Sequence, residues 1–306
     1  MTAGSRILLE DVQVTEAGIL APLRDVSVAR TIFPIKNILK SEQKQVKYYT
    51  YSDEHVTDYT MDIVNSPLSN SVSVPVTVDC PAIHGDLWAT WDDYKLIQAG
   101  KLTMDDAVRN WAVGAARDED RILIAGDPNM TAAYGISDTT NASTAATAEL
   151  NVTSIALVAS TLGGMINQLI DGLKSTAFPL VLMVSTDVYK VMNSVYDTTA
   201  EKYVLDFVLE MLTRNGQSGA VIISDNLGAT VTKSSAGYSV GAVTTNAALM
   251  AISTEHFGAY TSPIEFRTRA DNPNQIDGYL AKGVERVAPY FKRTEAIIYS
   301  GTVVVA

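Results

Sequence analysis

The chain has 306 residues, of which 47% are hydrophobic, enough for about two packed domains. Its net charge of −11 excludes attraction to nucleic acid through the overall field, although basic residues cluster locally at Lys36, Lys40, Lys44 and Lys47 and again at Lys282, Arg286, Lys292 and Arg293. The single cysteine, Cys80, excludes an intrachain disulfide and a cysteine-based zinc site, and no apolar run approaches the ~18 residues that span a membrane.

Residues 1–45 carry apolar positions at uneven spacing, broken by Gly18, Pro22 and Pro34. This predicts an extended N-terminal arm with short helical pieces, which must lie on another part of the fold or on another subunit. No basic start followed by a long apolar segment is present, so no signal peptide is expected. From Val46 the pattern becomes that of strands. VKYYTYS is aromatic-rich, TDYTMDIV alternates in part, and SVSVPVTV sets Val72, Val74, Val76 and Val78 on one face. Pro75 cannot donate to a ladder, which predicts an edge or a bulge there. The expectation is a long β-hairpin over 46–78 that does not form a self-contained core. Tyrosine gives contact area at low entropy cost, so Tyr48, Tyr49, Tyr51 and Tyr59 are candidate intersubunit contacts.

WDDYKLIQAG, 91–100, reads as a short helix ended by Gly100. Thr103 is a suitable cap for the next helix, with Asp105 and Asp106 in its first turn, where the helix dipole favours acids. Met104, Val108, Trp111, Ala115 and Ile122 fall on one side at helical spacing and form the expected core stripe of a spine helix. A helix from 103 to 125 is roughly 34 Å long. Its last turns carry RDEDR, 117–121, whose spacing supports ion pairs along the helix surface. Gly126 ends it and Pro128 prevents its resumption.

After a Thr/Ala-rich stretch, 139–148, helices are expected at 154–174, 186–192 and 201–213. Strands are expected at 178–185 and 220–225, then through 229–252, at IEFRTRA, and finally at 278–288 and 295–306. The fold class is α+β, with one long helix and an embedded α/β region.

No constellation carries catalytic chemistry. AGDPNMTAAYG follows a helix C-terminus rather than preceding an N-terminus, and lacks the Walker lysine. His55, His84 and His256 are far apart in sequence, with no HExxH, and no GxSxG elbow occurs. Asp92–Asp93 and Asp105–Asp106 read as helix-start acids, Trp88 and Trp91 as packing, and Cys80 as an inert small residue. No catalytic, cofactor-binding or metal-binding residue is expected, and the chain is not expected to be an enzyme.

The order of arm, hairpin, short helix, acid-ended long helix, glycine loop, α/β region and closing strands resembles the Hong Kong 97 capsid fold. That fold is shared by major capsid proteins of tailed viruses and by encapsulin nanocompartments. The resemblance rests on LWATWDDYKLIQAGKLTMDDAVRNWAVGAARDEDRILIAGDPNMTAAYGISD. In it Gly100, Glu119–Asp120 with Gly126, and Gly135–Ile136 match the family's pattern. The ending KGVERVAPYFKRTEAIIY looks like that fold's closing strands. The resemblance implies an N-terminal arm at 1–45, an extended loop at 46–78, a peripheral domain at 79–150 with 280–306, and an axial domain at 151–279. It implies a homo-oligomer of pentamers and possible hexamers closing into an icosahedral virus head, with DNA enclosed without sequence-specific recognition and a portal protein as partner. The protein would then be a virion component assembled in the host cytoplasm. The alternative it implies is a cytoplasmic encapsulin-like nanocompartment enclosing a cargo enzyme.

Overall fold

The computed structural model describes residues 27–37, 39–40, 43–51, 73–90, 92, 95–96, 99, 101, 105–126, 135–136, 141–145, 149–176, 178–214, 218–228, 231–234, 237–240, 246–252, 257–262, 265–269 and 278–305. The first half contains α1 (Ala29–Ile32), β1 (Ile35–Asn37), β2 (Gln45–Tyr51), β3 (Ser73–Asp79), β4 (Ala82–Thr90), α2 (Asp105–Asp120) and β5 (Ser143–Thr144). Next come α3 (Ile155–Leu173), β6 (Leu180–Val184), α4 (Thr186–Ser194), β7 (Tyr196–Asp197), β8 (Lys202–Tyr203), α5 (Val204–Thr213) and β9 (Gly219–Ile223). The later strands are β10 (Val231–Ser234), β11 (Gly237–Val240), β12 (Ala247–Ala251), β13 (Phe257–Thr261), β14 (Glu265–Arg269), β15 (Gly278–Phe291) and β16 (Ile297–Ser300).

One sheet is organised by β15, whose 14 residues accept β4, β14 and β13 as antiparallel neighbours, while β1 adds in parallel to β13. The second sheet has the order β5-β16-β12-β6-β9. Its central strands β6 and β12 are buried along their whole length, as LVLMV and AALMA demand. The apolar stripe of α3, with Ile155, Leu162, Leu169 and Leu173 buried, packs on the hydrophobic core, and Ser154 caps the helix by accepting from Leu157 N. The larger core cluster among the described residues runs from Ala29 to Val303 through both sheets, and a smaller one gathers Leu39, Tyr48, Val78, Cys80, Ala288 and Tyr290.

Strand pairing joins segments that lie on the two sides of residue 279. β13 and β14 lie within 151–279 yet pair with β15, and β16 lies within 280–306 yet pairs with β12 and β5. The chain therefore crosses between sheets after β12 and again after β15. Partner choice is a long-range property that local strand pattern does not record. Within the segment expected as an arm, Ala29, Ile32 and Phe33 are buried in the subunit's own core, with Phe33 edge-on to Phe257 and Phe291. Residues 1–26 of the expected arm lie outside the described residues, as do most of the expected helix at 91–100 and the hairpin segment 52–72.

The spine helix is α2, continued by a wider π turn over Arg121–Ala125 that closes with Gly126 N donating to Arg121 O. Ala112, Ala115, Ala116, Leu123 and Ile124 are buried, and Trp111 and Ile122 are partly buried against the core. Trp111 lies on Gly85 of β4, where an added Cβ would overlap its indole nitrogen. The glycine loop returns to this helix end. Ile136 N donates to Ile124 O at 2.8 Å, and a Cβ on Gly135 would overlap the main chain of Ile124 and Ala125. Backbone cannot swing aside as a flexible side chain can. Gly135→Ala is therefore expected to cost about 1–3 kcal/mol, the range of overpacking in a filled core. Chemical denaturation of the purified subunit measures it, and an unchanged midpoint would show that the loop does not seat on the helix.

Candidate functional site: the arm junction and the hairpin base

Three chain segments meet at the acidic end of α2. Arg30 of α1 donates from Nε to Glu119 Oε2 at 2.8 Å and from Nη2 to Glu285 Oε1 at 3.2 Å. The two glutamate side chains are 0% and 2% exposed. Asp120 accepts from Ser27 Oγ at 2.8 Å, Val28 N at 3.0 Å and Ala29 N at 2.7 Å. It thus caps α1 from a distant part of the chain, satisfying donors that a helix start leaves open. Thr261 Oγ1 donates to Glu285 Oε1 at 3.0 Å. Glu119 Oε1 and Glu285 Oε2 are buried with no hydrogen-bond partner among the described residues.

The electrostatics follow from burial. Loss of solvent, then the nearby Glu285 charge, pushes the Glu119 carboxyl up to about 7 despite Arg30. Burial also raises Glu285 and Asp120 above their ordinary values, against the attraction of Arg30 and the donors on each. Arg30 is itself raised: its acidic neighbours, Glu119 foremost, outweigh the cost of its burial. The expected surface pairing within RDEDR is made only in part. Asp118 Oδ1 accepts from Arg121 Nη1 at 2.8 Å, whereas Glu119 and Asp120 turn inward to Arg30 and α1.

The base of the hairpin is the second constellation. β2 and β3 pair over seven residues from Gln45↔Asp79 to Tyr51↔Ser73, as a two-stranded ribbon with Pro75 opposite Tyr49. Tyr48, expected as an intersubunit contact, is instead buried in its own subunit. Its hydroxyl donates to Phe291 O at 3.2 Å and accepts from Phe291 N at 3.3 Å, and its ring packs on Tyr290. The reason is strand alternation: Val46, Tyr48, Val76 and Val78 share the face that meets β15, and Tyr49 points the other way, 48% exposed. Farther out on the buried face, Val74 is already 46% exposed, so the apolar stripe leaves the subunit body at that point. Tyr51 ends β2, and Tyr59 lies outside the described residues.

Of the spine stripe, Ala115 is buried and Trp111 and Ile122 pack against the core; Val108 lies on α2, and Met104 lies outside the described residues. The two basic clusters, distant in sequence, come together, with Lys36 and Lys292 5.8 Å and 6.0 Å from the Tyr290 ring centre. Burial pushes the Cys80 thiol up to about 11, which keeps it protonated and unreactive at neutral pH. His84 is exposed, and His55 and His256 lie outside the described residues. Among the described residues no group of three or more His, Cys, Asp or Glu is placed to hold a metal.

No family model matches the sequence, and no curated protein matches it. Solved structures match across nearly the whole chain. A virus-like particle from Pyrococcus furiosus is 12% identical with a TM-score of 0.60, covering 95% of this chain and 99% of that one. The capsid of an empty GTA particle is 13% identical with a TM-score of 0.60, covering 92% and 90%. The capsid of Myoviridae phage XM1 is 11% identical with a TM-score of 0.53, covering 86% and 88%. The chain has the Hong Kong 97-like capsid fold.

Proposed function

We propose that this chain is the major structural subunit of a closed icosahedral shell, the head of a tailed virus, with a packing role rather than a catalytic one. The observation that carries the reading is the end-to-end match of the chain to capsid subunits, including coverage of 90% of the GTA capsid chain. The hairpin supports it. Among the described residues its ribbon pairs with no third strand, and its apolar stripe is already half-exposed at Val74, surface suited to contact with another chain. Enclosed DNA, held without sequence recognition, and a portal protein complete the virus reading. The match to the Pyrococcus furiosus particle supports a second reading, a nanocompartment that encloses a cargo enzyme.

The purified chain is expected to form large closed shells, visible by electron microscopy and by sedimentation. Monomers or dimers alone, at micromolar concentration in native buffer, would refute the shell reading. Nuclease-protected DNA inside particles recovered from their natural source separates the virus head from a shell filled with enzyme.

The two adjacent tyrosines separate folding from assembly. Tyr48→Ala should destabilise the subunit by about 3 kcal/mol, the lower end for buried aromatics. Tyr49→Ala should leave subunit unfolding unchanged and weaken the shell. Denaturant unfolding of subunits and thermal disassembly of shells measure the two effects, and equal effects of both substitutions on subunit unfolding would contradict the assignment of faces.

Removing 52–72 and joining Tyr51 to Ser73, which are register partners, by a short turn leaves the anchored base in place. The shortened chain should fold with a native circular dichroism spectrum and fail to close into stable shells. Shells of unaltered melting temperature would mean that the outer hairpin is no intersubunit clasp.

A further inference from the structure

The junction at Arg30 has more acid than base. Three buried carboxylates, Glu119, Asp120 and Glu285, face one guanidinium. Asp120 is accounted for, since three donors from residues 27–29 converge on it. That leaves two glutamates on one arginine, each with a buried oxygen that has no partner. Unshielded charge in such a place is costly, and buried groups respond by taking up a proton. Among the described residues no second cation bonds to either glutamate. Asp118 holds Arg121, Arg286 donates to the carbonyl of Cys80 at 2.7 Å, and β4 contributes His84 and Asp86, both exposed. β13 contributes the Thr261 hydroxyl, which already donates to Glu285.

We propose that the Glu119–Glu285 pair retains one proton near neutral pH, and that this proton clasps the segment around α1 to the spine helix and to β15. With it the triad of Arg30, Glu119 and Glu285 is neutral, and the protonated carboxyl offers a donor where both orphaned oxygens are acceptors. Without it two buried anions compete for Arg30, and the short helix loses part of its anchorage. This concerns the subunit and does not depend on the shell reading.

The direction follows from linkage. An acid whose folded-state pKa is raised stabilises most below its ordinary value, and that stabilisation is lost as pH rises through the folded value. For Glu119 the window runs from 4.5 up to about 7, and Glu285 is displaced in the same direction. The clasp tightens towards mildly acidic pH and loosens in alkali.

Hydrogen exchange of the peptide spanning residues 27–33, in the full chain and corrected for the intrinsic pH dependence of exchange, reads the clasp. Its opening equilibrium should rise about tenfold between about pH 6 and about pH 8.5. Glu119→Gln has the shape of the protonated acid and should flatten this dependence while keeping the peptide protected at the alkaline end. Glu285→Gln tests the same pair from the other strand if the first variant does not fold. Opening that is independent of pH in the wild type overturns the proposal. So does a variant with wild-type pH dependence, or one with equally increased opening at both pH values, which would indicate hydrogen-bonding geometry alone.

Discussion

The subunit depends on one buried charge arrangement: a guanidinium from the N-terminal segment set between the end of the spine helix and the middle of the longest strand. Arg30 contacts Glu119 and Glu285, and Asp120 beside them caps the helix that carries Arg30. Each element is fixed by another. Without the segment around α1, Asp120 would lose three donors and Glu119 the guanidinium bonded to it. Buried ionic networks of this kind add little net stability over a well-packed apolar core, yet breaking one member is costly. The arrangement therefore acts as a specification of register. It admits one placement of α1 against α2 and β15, and the Phe33, Phe257 and Phe291 rings pack beside it in consequence.

This placement links the termini of the described chain to its centre. β15 holds Glu285 in the junction, pairs with β4 on which Trp111 rests, and ends at Phe291, whose backbone exchanges hydrogen bonds with Tyr48. The helix, the N-terminal segment and the hairpin base are thus all referred to one strand. Any change in the angle of α2 would be felt at Glu119 and Asp120 first, because they lie in its last turn, directly before the π turn. Widened turns of this type are frequent at functional sites.

Much of this was legible in the sequence. The stripe of α3, the apolar runs of β6 and β12, and the length of the spine helix follow from periodicity and burial alone. The RDEDR segment was not legible in the same way. Charges at helical spacing read as a solvated face, and nothing local reveals that a cation some 90 residues away turns two of them inward. One signal was present: Ile122 to Ala125 follows without a polar residue, so that turn is apolar all round and its helix must end inside the protein. The crossing of β16 into the other sheet left no local trace, because a short apolar strand fits either sheet equally well.

Side chains alternate along a strand, so Tyr48 and Tyr49 cannot serve the same surface. The register places Tyr48 with Val76 on one face and Tyr49 with Pro75 on the other. The stripe of alternate valines then acquires a gradient: Val78 is 3% exposed, Val76 half-buried and Val74 46% exposed. A stripe that is core at one end and uncovered at the other does two tasks in series. Its inner end fixes the ribbon to β15, and its outer end, at Val74, presents apolar surface. A small apolar contact there contributes usefully when it is repeated by every subunit of an assembly.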